Sequence, residues 1–380
     1  MCAHGKKPNT KSGVLICGAY GHGNAGDEAI LEAIVGELRA IDPDMPITVL
    51  SRTPEATAAR NGVQALHTFD FPGFLRVMRG AKLYLNGGGS LIQDVTSRRS
   101  LWYYLFTLAA ARHRGCRVLM YGCGIGPVKY RLDRALVRRV LNKNVDIITL
   151  REAHSLRELE TFGVTKPEIV LSSDPALTLP AAPERETDAV LAAAGLEKGG
   201  RYAGFCLRRW PGFTERAPAF AAAARHAWER HGLTPVFLSI NHRSDGEAAD
   251  RVCALLGDVP HHILREPMST ALTIGILHRM ELVVSMRLHG LIFAAGHGVP
   301  LVGVAYDPKV TAFLEYAGQE NHLPFEAVDA AALCTLVDRA AAQSGDRAAL
   351  AERAAALRAK EYRNTTAART LLGLGKEPRV

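Results

Sequence analysis

Basic residues recur where apolar runs end. Arg151 follows Ile147–Leu150; Arg208 and Arg209, with Trp210, follow Tyr202–Leu207; Arg287-Leu288-His289 follows Leu282–Ser285; and Lys309, in Tyr306-Asp-Pro-Lys309, follows Leu301–Val304. An anion held by a protein needs fixed donors, and the planar guanidinium fork supplies them in pairs. Arg287 with His289 joins anion binding to a proton-transfer group at the start of a helix, where backbone N–H groups point outward. The other histidines, the His261-His262 pair included, have no ligand spacing, and no metal site is read from the sequence.

Glycine clusters occupy comparable positions. Gly18 to Glu28 contains Gly21-x-Gly23-x-x-Gly26, formally a dinucleotide-binding pattern. A ribose-binding acid is missing after the second apolar run, where Leu50 leads into Ser51 and Arg52, so only an NADP site leaning on Arg52 fits that reading. Asp27 and Glu28 would repel a pyrophosphate at the helix start and suit sugar hydroxyls better. Asn86-Gly-Gly-Gly-Ser-Leu-Ile-Gln-Asp94 and Tyr121-Gly-Cys-Gly-Ile-Gly-Pro127 follow two further runs and read as loops that let backbone approach a ligand.

Positioning all of these groups requires alternating strands and helices. Strands are expected at Val14–Gly18, Ile47–Leu50, Lys82–Asn86, Arg117–Tyr121, Ile147–Leu150 and Glu168–Leu171, with helical spacing in segments such as Ala25–Ile41 and Arg131–Leu141. The rhythm breaks at Ser172–Glu186, which carries Pro175, Pro180 and Pro183 and reads as a linker. A second series follows, with strands near Tyr202–Leu207, Pro235–Ile240, Leu282–Ser285 and Leu301–Val304 and a long terminal helix over Asp346–Leu372. The expected fold is α/β: two Rossmann-like domains, 13–180 and 187–372, facing each other across a cleft, with ligands at the carboxyl ends of the strands.

The 380 residues, 48% hydrophobic and 22% charged, exclude a miniprotein, a collagenous chain and a disordered one. Lys and Arg outnumber Asp and Glu by 46 to 38, a net +8 that favours an anionic ligand yet is modest for a nucleic-acid binder, and no nucleic acid is expected. The seven cysteines (Cys2, Cys17, Cys116, Cys123, Cys206, Cys253, Cys334) include no C-x-x-C, and Met1–Ser12 has no apolar stretch behind it; both point to the cytoplasm. The longest apolar run, Leu101–Ala111, is too short to span a bilayer. Its aromatics, bracketed by Arg98, Arg99, Arg112, His113 and Arg114, are compatible with an anionic membrane surface or with a core helix.

Taken in order, Gly23-Asn-Ala-Gly-Asp-Glu28, Gly87-Gly-Gly-Ser-Leu-Ile-Gln-Asp94, Tyr121-Gly-x-Gly-Ile-Gly-Pro127, Leu150-Arg-Glu-x-x-Ser155, Ser173-Asp-Pro-Ala-Leu177, Ser285-Met-Arg-Leu-His289 and Tyr306-Asp-Pro-Lys-Val310 resemble the polysaccharide pyruvyl transferase family. The likeness is greatest to the bacterial branch that ketalates N-acetylmannosamine in cell-wall polymers. It implies a fold similar to glycosyltransferase-B enzymes. The implied reaction is transfer of the pyruvyl unit of phosphoenolpyruvate to two sugar hydroxyls as a 4,6-ketal with release of phosphate, using no redox cofactor and no obligatory metal. By position, Arg151, Arg287, Leu288, His289 and Lys309 match residues that handle phosphoenolpyruvate. Asn24, Asp27, Gly88, Gly89, Gln93 and Gly124 match the acceptor side, and Arg208 joins the substrate-binding set. Glu152 stands where Asp is usual and Cys123 where Gln is common. His289 is the expected proton-transfer group. The acceptor is expected to be a lipid-linked glycan precursor met at the inner face of the membrane.

Three other readings stay open: a sugar-nucleotide-dependent glycosyltransferase of the same shape, an NADP oxidoreductase, and a carbohydrate-binding protein that has lost turnover.

Overall fold

The computed structural model describes residues 11–95, 97–241 and 244–375; residues 1–10, including Cys2 and most of the polar N-terminal stretch, lie outside the described residues. The first series comprises β1 (Val14–Cys17), α1 (Ala25–Ile41), β2 (Ile47–Ser51), α2 (Pro54–Asn61), β3 (Gln64–His67), α3 (Phe71–Gly80), β4 (Leu83–Ile92), α4 (Arg98–His113), β5 (Arg117–Ile125), α5 (Arg131–Asn144), β6 (Ile147–Leu150), α6 (Ala153–Phe162) and β7 (Glu168–Leu171). The second comprises α7 (Glu184–Ala193), β8 (Tyr202–Cys206), α8 (Phe213–His231), β9 (Thr234–Leu238), α9 (Gly246–Cys253), β10 (His262–Leu264), α10 (Thr270–His278), β11 (Leu282–Ser285), α11 (Leu288–Gly296), β12 (Leu301–Ala305), α12 (Pro308–Tyr316), β13 (His322–Pro324), α13 (Ala330–Gln343) and α14 (Arg347–Leu372).

Each series forms one parallel sheet. The strand orders are β3-β2-β1-β4-β5-β6-β7 and β10-β9-β8-β11-β12-β13, both with the reversal of a Rossmann-like fold. β1, β2, β6, β8 and β11 are buried along their whole length, as parallel strands covered on both faces are, which is why they read as mainly apolar runs. Side-chain caps start several helices: Asp70 accepts from the Gly73 N–H, Ser269 from that of Leu272 and Asp329 from that of Ala332.

The chain divides into two units, and the division is not a single cut. Unit 1 holds residues 1–22, 30–175 and 360–380; unit 2 holds 23–29 and 176–359. The first part of the stretch read as a linker is interior to unit 1, since Ser172, Ser173 and Asp174 are all buried. The last turns of α14 return to unit 1. There Asn364 donates to the Ser173 carbonyl at 3.0 Å, Ser172 donates to the Lys360 carbonyl at 2.9 Å, and the Tyr121 hydroxyl lies 3.4 Å from Glu361.

Two of the glycine clusters are not loops. β4 continues through Gly87-Gly88-Gly89 to Ile92, and β5 continues through Gly122 and Gly124 to Ile125, with irregular register after Gly89 and after Met120. Gly88 and Gly122 adopt positive φ (59° and 53°), and a Cβ at either would overlap Ile30 or Pro175. Packing of backbone against side chains therefore accounts for these two glycines.

Burial of Glu361 pushes its carboxyl up to about 8, with Glu37 adding repulsion and the Asn364 hydrogen bond opposing it. A raised acid favours its protonated form in the folded state. Its contribution is therefore fully present below the ordinary value of 4.5 and is lost as pH rises to about 8. Glu361→Gln keeps the shape without the charge. It is expected to raise the melting temperature at pH 8.5 and to have little effect at pH 5, the difference being worth at most about 5 kcal/mol. Equal shifts at both pH values would contradict this account.

Candidate functional site

In unit 2 the strand order reverses between β8 and β11, so their carboxyl ends flank the crevice where open α/β sheets bind ligands. Arg208 leaves β8, Arg287 and His289 leave β11, and Lys309 follows β12. Three of the expected cations therefore stand at the ends of adjacent strands, because each strand is short and ends at the same level of the sheet.

Each is held differently. Arg287 lies over Asp245, with Nε donating to both carboxylate oxygens at 2.9 and 3.0 Å, Nη2 joining the same carboxylate, and Nη2 also donating to Ser244 at 2.8 Å. Asp245, 2% exposed, is oriented by the backbone N–H groups of Ile240 and Asn241 at 3.1 and 2.8 Å. The Arg208 guanidinium rests over the Trp210 and Tyr306 rings at 4.9 and 4.5 Å and donates to the Tyr306 hydroxyl at 2.6 Å. Lys309 lies 3.4 Å from the Asp307 carboxylate, which also caps α12 by accepting the Lys309 N–H. Asp245 and the aromatic floor under Arg208 escaped the sequence reading, since nothing local ties Asp245 to an arginine 42 residues away.

His289 is the second residue of α11, with its ring 6.0 Å from that of Phe293 and the buried Leu288 beside it. Within the same unit, a Cβ at Gly26 would overlap the imidazole. Gly26 is thus needed for the Asn24–Asp27 turn to approach His289. In that turn Asn24 donates to Asp27 at 2.6 Å and accepts the Gly26 N–H at 3.3 Å. The structure thereby brings together two groups that are far apart in sequence, the turn expected on the acceptor side and the histidine expected to transfer a proton.

Arg151, in unit 1, is 5% exposed and engaged with acids: Nη1 to Asp174 at 2.9 Å and Nε to Glu152 at 3.2 Å, with Nη2 donating to Ser90 at 3.2 Å. Glu152 also accepts from the Ser155 hydroxyl, which in turn accepts the Ile125 N–H at 2.7 Å. The guanidinium passes so close to Gly124 that a Cβ there would lie 3.1 Å from Nη2. Four sequence motifs, around Ser90, Gly124, Arg151 and Asp174, thus meet in one buried network at the carboxyl ends of β4 to β7. Gly88 and Gly89 lie on β4 as it passes through this region, and the half-buried Gln93 follows at its end. The Asp94 carboxylate accepts the N–H groups of Lys129 and Tyr130. Cys123 is buried in the core of unit 1, and desolvation pushes its thiol up to about 12. Arg52 lies over the Phe69 ring at 5.0 Å.

The sequence model of the family "Polysaccharide pyruvyl transferase" matches residues 24–308. The chain belongs to the polysaccharide pyruvyl transferase family. Within that family the matched span runs from the Asn24–Asp27 turn to Pro308, one residue short of Lys309. A search of curated proteins returned no significant match. Among solved structures, this pyruvyl transferase family member is similar to a glycosyltransferase from Rickettsia africae, with 12% identity over 95% of this chain and 99% of the other and a TM-score of 0.63. It is also similar to Anabaena Alr3699/HepE in complex with UDP, with 10% identity over 95% and 99% and a TM-score of 0.64. For the UDP-GlcNAc 2-epimerase from Methanocaldococcus jannaschii the figures are 12% identity, 86% and 92% coverage and a TM-score of 0.62. At these identities the likeness is one of fold: two Rossmann-like units of the glycosyltransferase-B kind.

Proposed function

We propose that this transferase moves the pyruvyl unit of phosphoenolpyruvate onto two hydroxyls of an N-acetylmannosamine-type sugar, forming a 4,6-ketal and releasing phosphate. The observation that supports this reading best is the row of Arg208, Arg287, His289 and Lys309 on adjacent strand ends of unit 2. Phosphoenolpyruvate carries more negative charge than one cation offsets. An arginine fixed by Asp245, a second stacked on aromatic rings and a lysine supply donors that need little reorganisation when the anion arrives.

The reaction then runs in two additions. His289 delivers a proton to the methylene carbon, and positive charge develops on the central carbon. One sugar hydroxyl attacks that carbon and loses its proton. The bond to the phosphate oxygen breaks, phosphate departs with the electron pair, and the second hydroxyl closes the ketal with loss of its own proton. Asp27, hydrogen-bonded to Asn24 in the turn beside His289, is placed to orient an acceptor hydroxyl. Arg151 enters as a positioning residue, because all three of its nitrogens are engaged, Nε and Nη1 by Glu152 and Asp174 and Nη2 by Ser90. No redox cofactor has a role in this scheme.

A glycosyltransferase reading draws on the UDP-bound structural neighbour. Donor competition separates the two: phosphoenolpyruvate should protect the chain from thermal unfolding where UDP-sugars do not, and the reverse result would favour the glycosyltransferase.

A lipid-linked acceptor would bring the protein to the inner face of an anionic membrane. None of the described helices is long and apolar enough to cross one. α4 buries Leu101, Tyr104, Leu105, Leu108 and Ala111 but exposes Trp102 (44%) and Phe106 (49%), and Phe106 lies 5.9 Å from the exposed Phe71. Arginines flank this aromatic patch, the combination that suits an anionic lipid surface. Sedimentation with phosphatidylglycerol vesicles at low salt is expected for the wild type and reduced roughly tenfold in a Trp102→Ser/Phe106→Ser variant. Absence of wild-type binding would remove the membrane contact.

A further inference from the structure

α8 and α13 pack on the same face of the second sheet, sharing a core that includes Phe220, Ala224, Ala227, Leu333, Val337 and Ala340. Where that core ends, three ligand-type side chains converge. His226 and His231 of α8 each place Nε2 against the same oxygen of Asp338 in α13, at 2.7 and 2.6 Å, and the donor atoms all lie within 4.8 Å of one another. The two rings are inclined at 76° with centroids 5.7 Å apart, so they approach the shared oxygen from different directions rather than stacking. Side-chain exposures of 27%, 23% and 48% leave room for solvent to reach the cluster.

We infer that His226, His231 and Asp338 form a binding site for a divalent transition ion of the zinc class, joining α8 to α13. Two imidazoles and one carboxylate are a donor set that such ions take, with a water completing a tetrahedron. In a tetrahedral site with bonds of about 2.0–2.2 Å the donor atoms stand about 3.3 Å apart, so the carboxylate oxygen, now at 2.7 and 2.6 Å from the two Nε2 atoms, must draw back while the imidazoles, whose donors lie within 4.8 Å, adjust to the same spacing. Both imidazoles must present the Nε2 lone pair, which places their protons on Nδ1. The ion would replace the two histidine–aspartate contacts with coordinate bonds and so strengthen a link between helices that also share an apolar core. The cluster lies on helices, away from the strand ends that carry Arg208, Arg287, His289 and Lys309, so it is separate from the proposed transfer chemistry. Sequence spacing gave no sign of it. The two histidines are not at the familiar interval of four, and the carboxylate comes from another helix.

The test uses untagged full-length protein stripped with chelator. Titration with ZnCl2 is expected to give one equivalent bound per chain and a rise in melting temperature, and CoCl2 is expected to give visible bands of tetrahedral intensity. His226→Ala/His231→Ala should weaken zinc binding by roughly 100-fold or more, with the metal-free melting temperature showing that the variant is folded. Asp338→Asn, which keeps the volume, should weaken binding while changing the metal-free protein less. Failure of the wild type to bind one equivalent, or equal binding by the wild type and the double variant, would overturn the assignment.

Discussion

Replacing Arg151 by alanine is expected to lower the unfolding free energy by about 3–5 kcal/mol, the usual consequence of removing one member of a buried ion pair. The side chain is 5% exposed, and its partners Asp174 and Glu152 are 1% and 7% exposed. Without the guanidinium, two buried carboxylates would lose the positive charge that bridges them, and the bond to Ser90 would be lost as well. Lysine in its place restores a charge but not a fork that reaches two acids and a hydroxyl, so Arg151→Lys should recover only part of the loss. Urea unfolding followed by circular dichroism gives the numbers. A loss below about 1 kcal/mol for Arg151→Ala would mean that the network is not as tightly closed as its distances indicate.

His289→Ala is expected to reduce turnover by about 10²-fold or more if the imidazole carries the proton. The contact with Gly26 provides a second, independent handle. Gly26→Ala must displace either the turn or the imidazole, so it too should lower activity, while the turn's own bond between Asn24 and Asp27 is not directly removed. In the His289→Ala background the added methyl no longer meets the imidazole, and Gly26→Ala should then add little further loss. Near-normal turnover of His289→Ala would sink the assignment. Additive losses in the double variant would place the effect of Gly26 elsewhere than on the histidine.

Much of the architecture was legible because parallel strands buried on both faces leave continuous apolar runs. Ile147–Leu150 and Leu282–Ser285, buried throughout, coincide with β6 and β11 residue for residue, and the half-buried edge run Glu168–Leu171 coincides with β7. The strands that escaped are β3, β10 and β13, all at sheet edges. Gln64-Ala-Leu-His67 is only half buried, His262-Ile-Leu264 is three residues long, and His322-Leu-Pro324 contains a proline that an edge tolerates. Gly87–Gly89 and Gly122–Gly124 read as loops because glycine is rare in strands. They are strand instead, and the glycines serve close packing: Ile30 and Pro175 fill the space that side chains at Gly88 and Gly122 would need. The cations of unit 2 were visible as strand-end residues. Their partners were not, because Asp245 reaches Arg287, Tyr306 reaches Arg208 and the Gly26 turn reaches His289 only through folding, as Asp174 reaches Arg151 in unit 1. The same holds for His226, His231 and Asp338.

Inorganic phosphate release from phosphoenolpyruvate by the purified protein reads out the transfer itself. Release is expected to depend on a β-N-acetylmannosaminide, with the sugar gaining the mass of a pyruvate ketal. If the protein neither releases phosphate with that acceptor nor is thermally stabilised by phosphoenolpyruvate, the assignment is overturned.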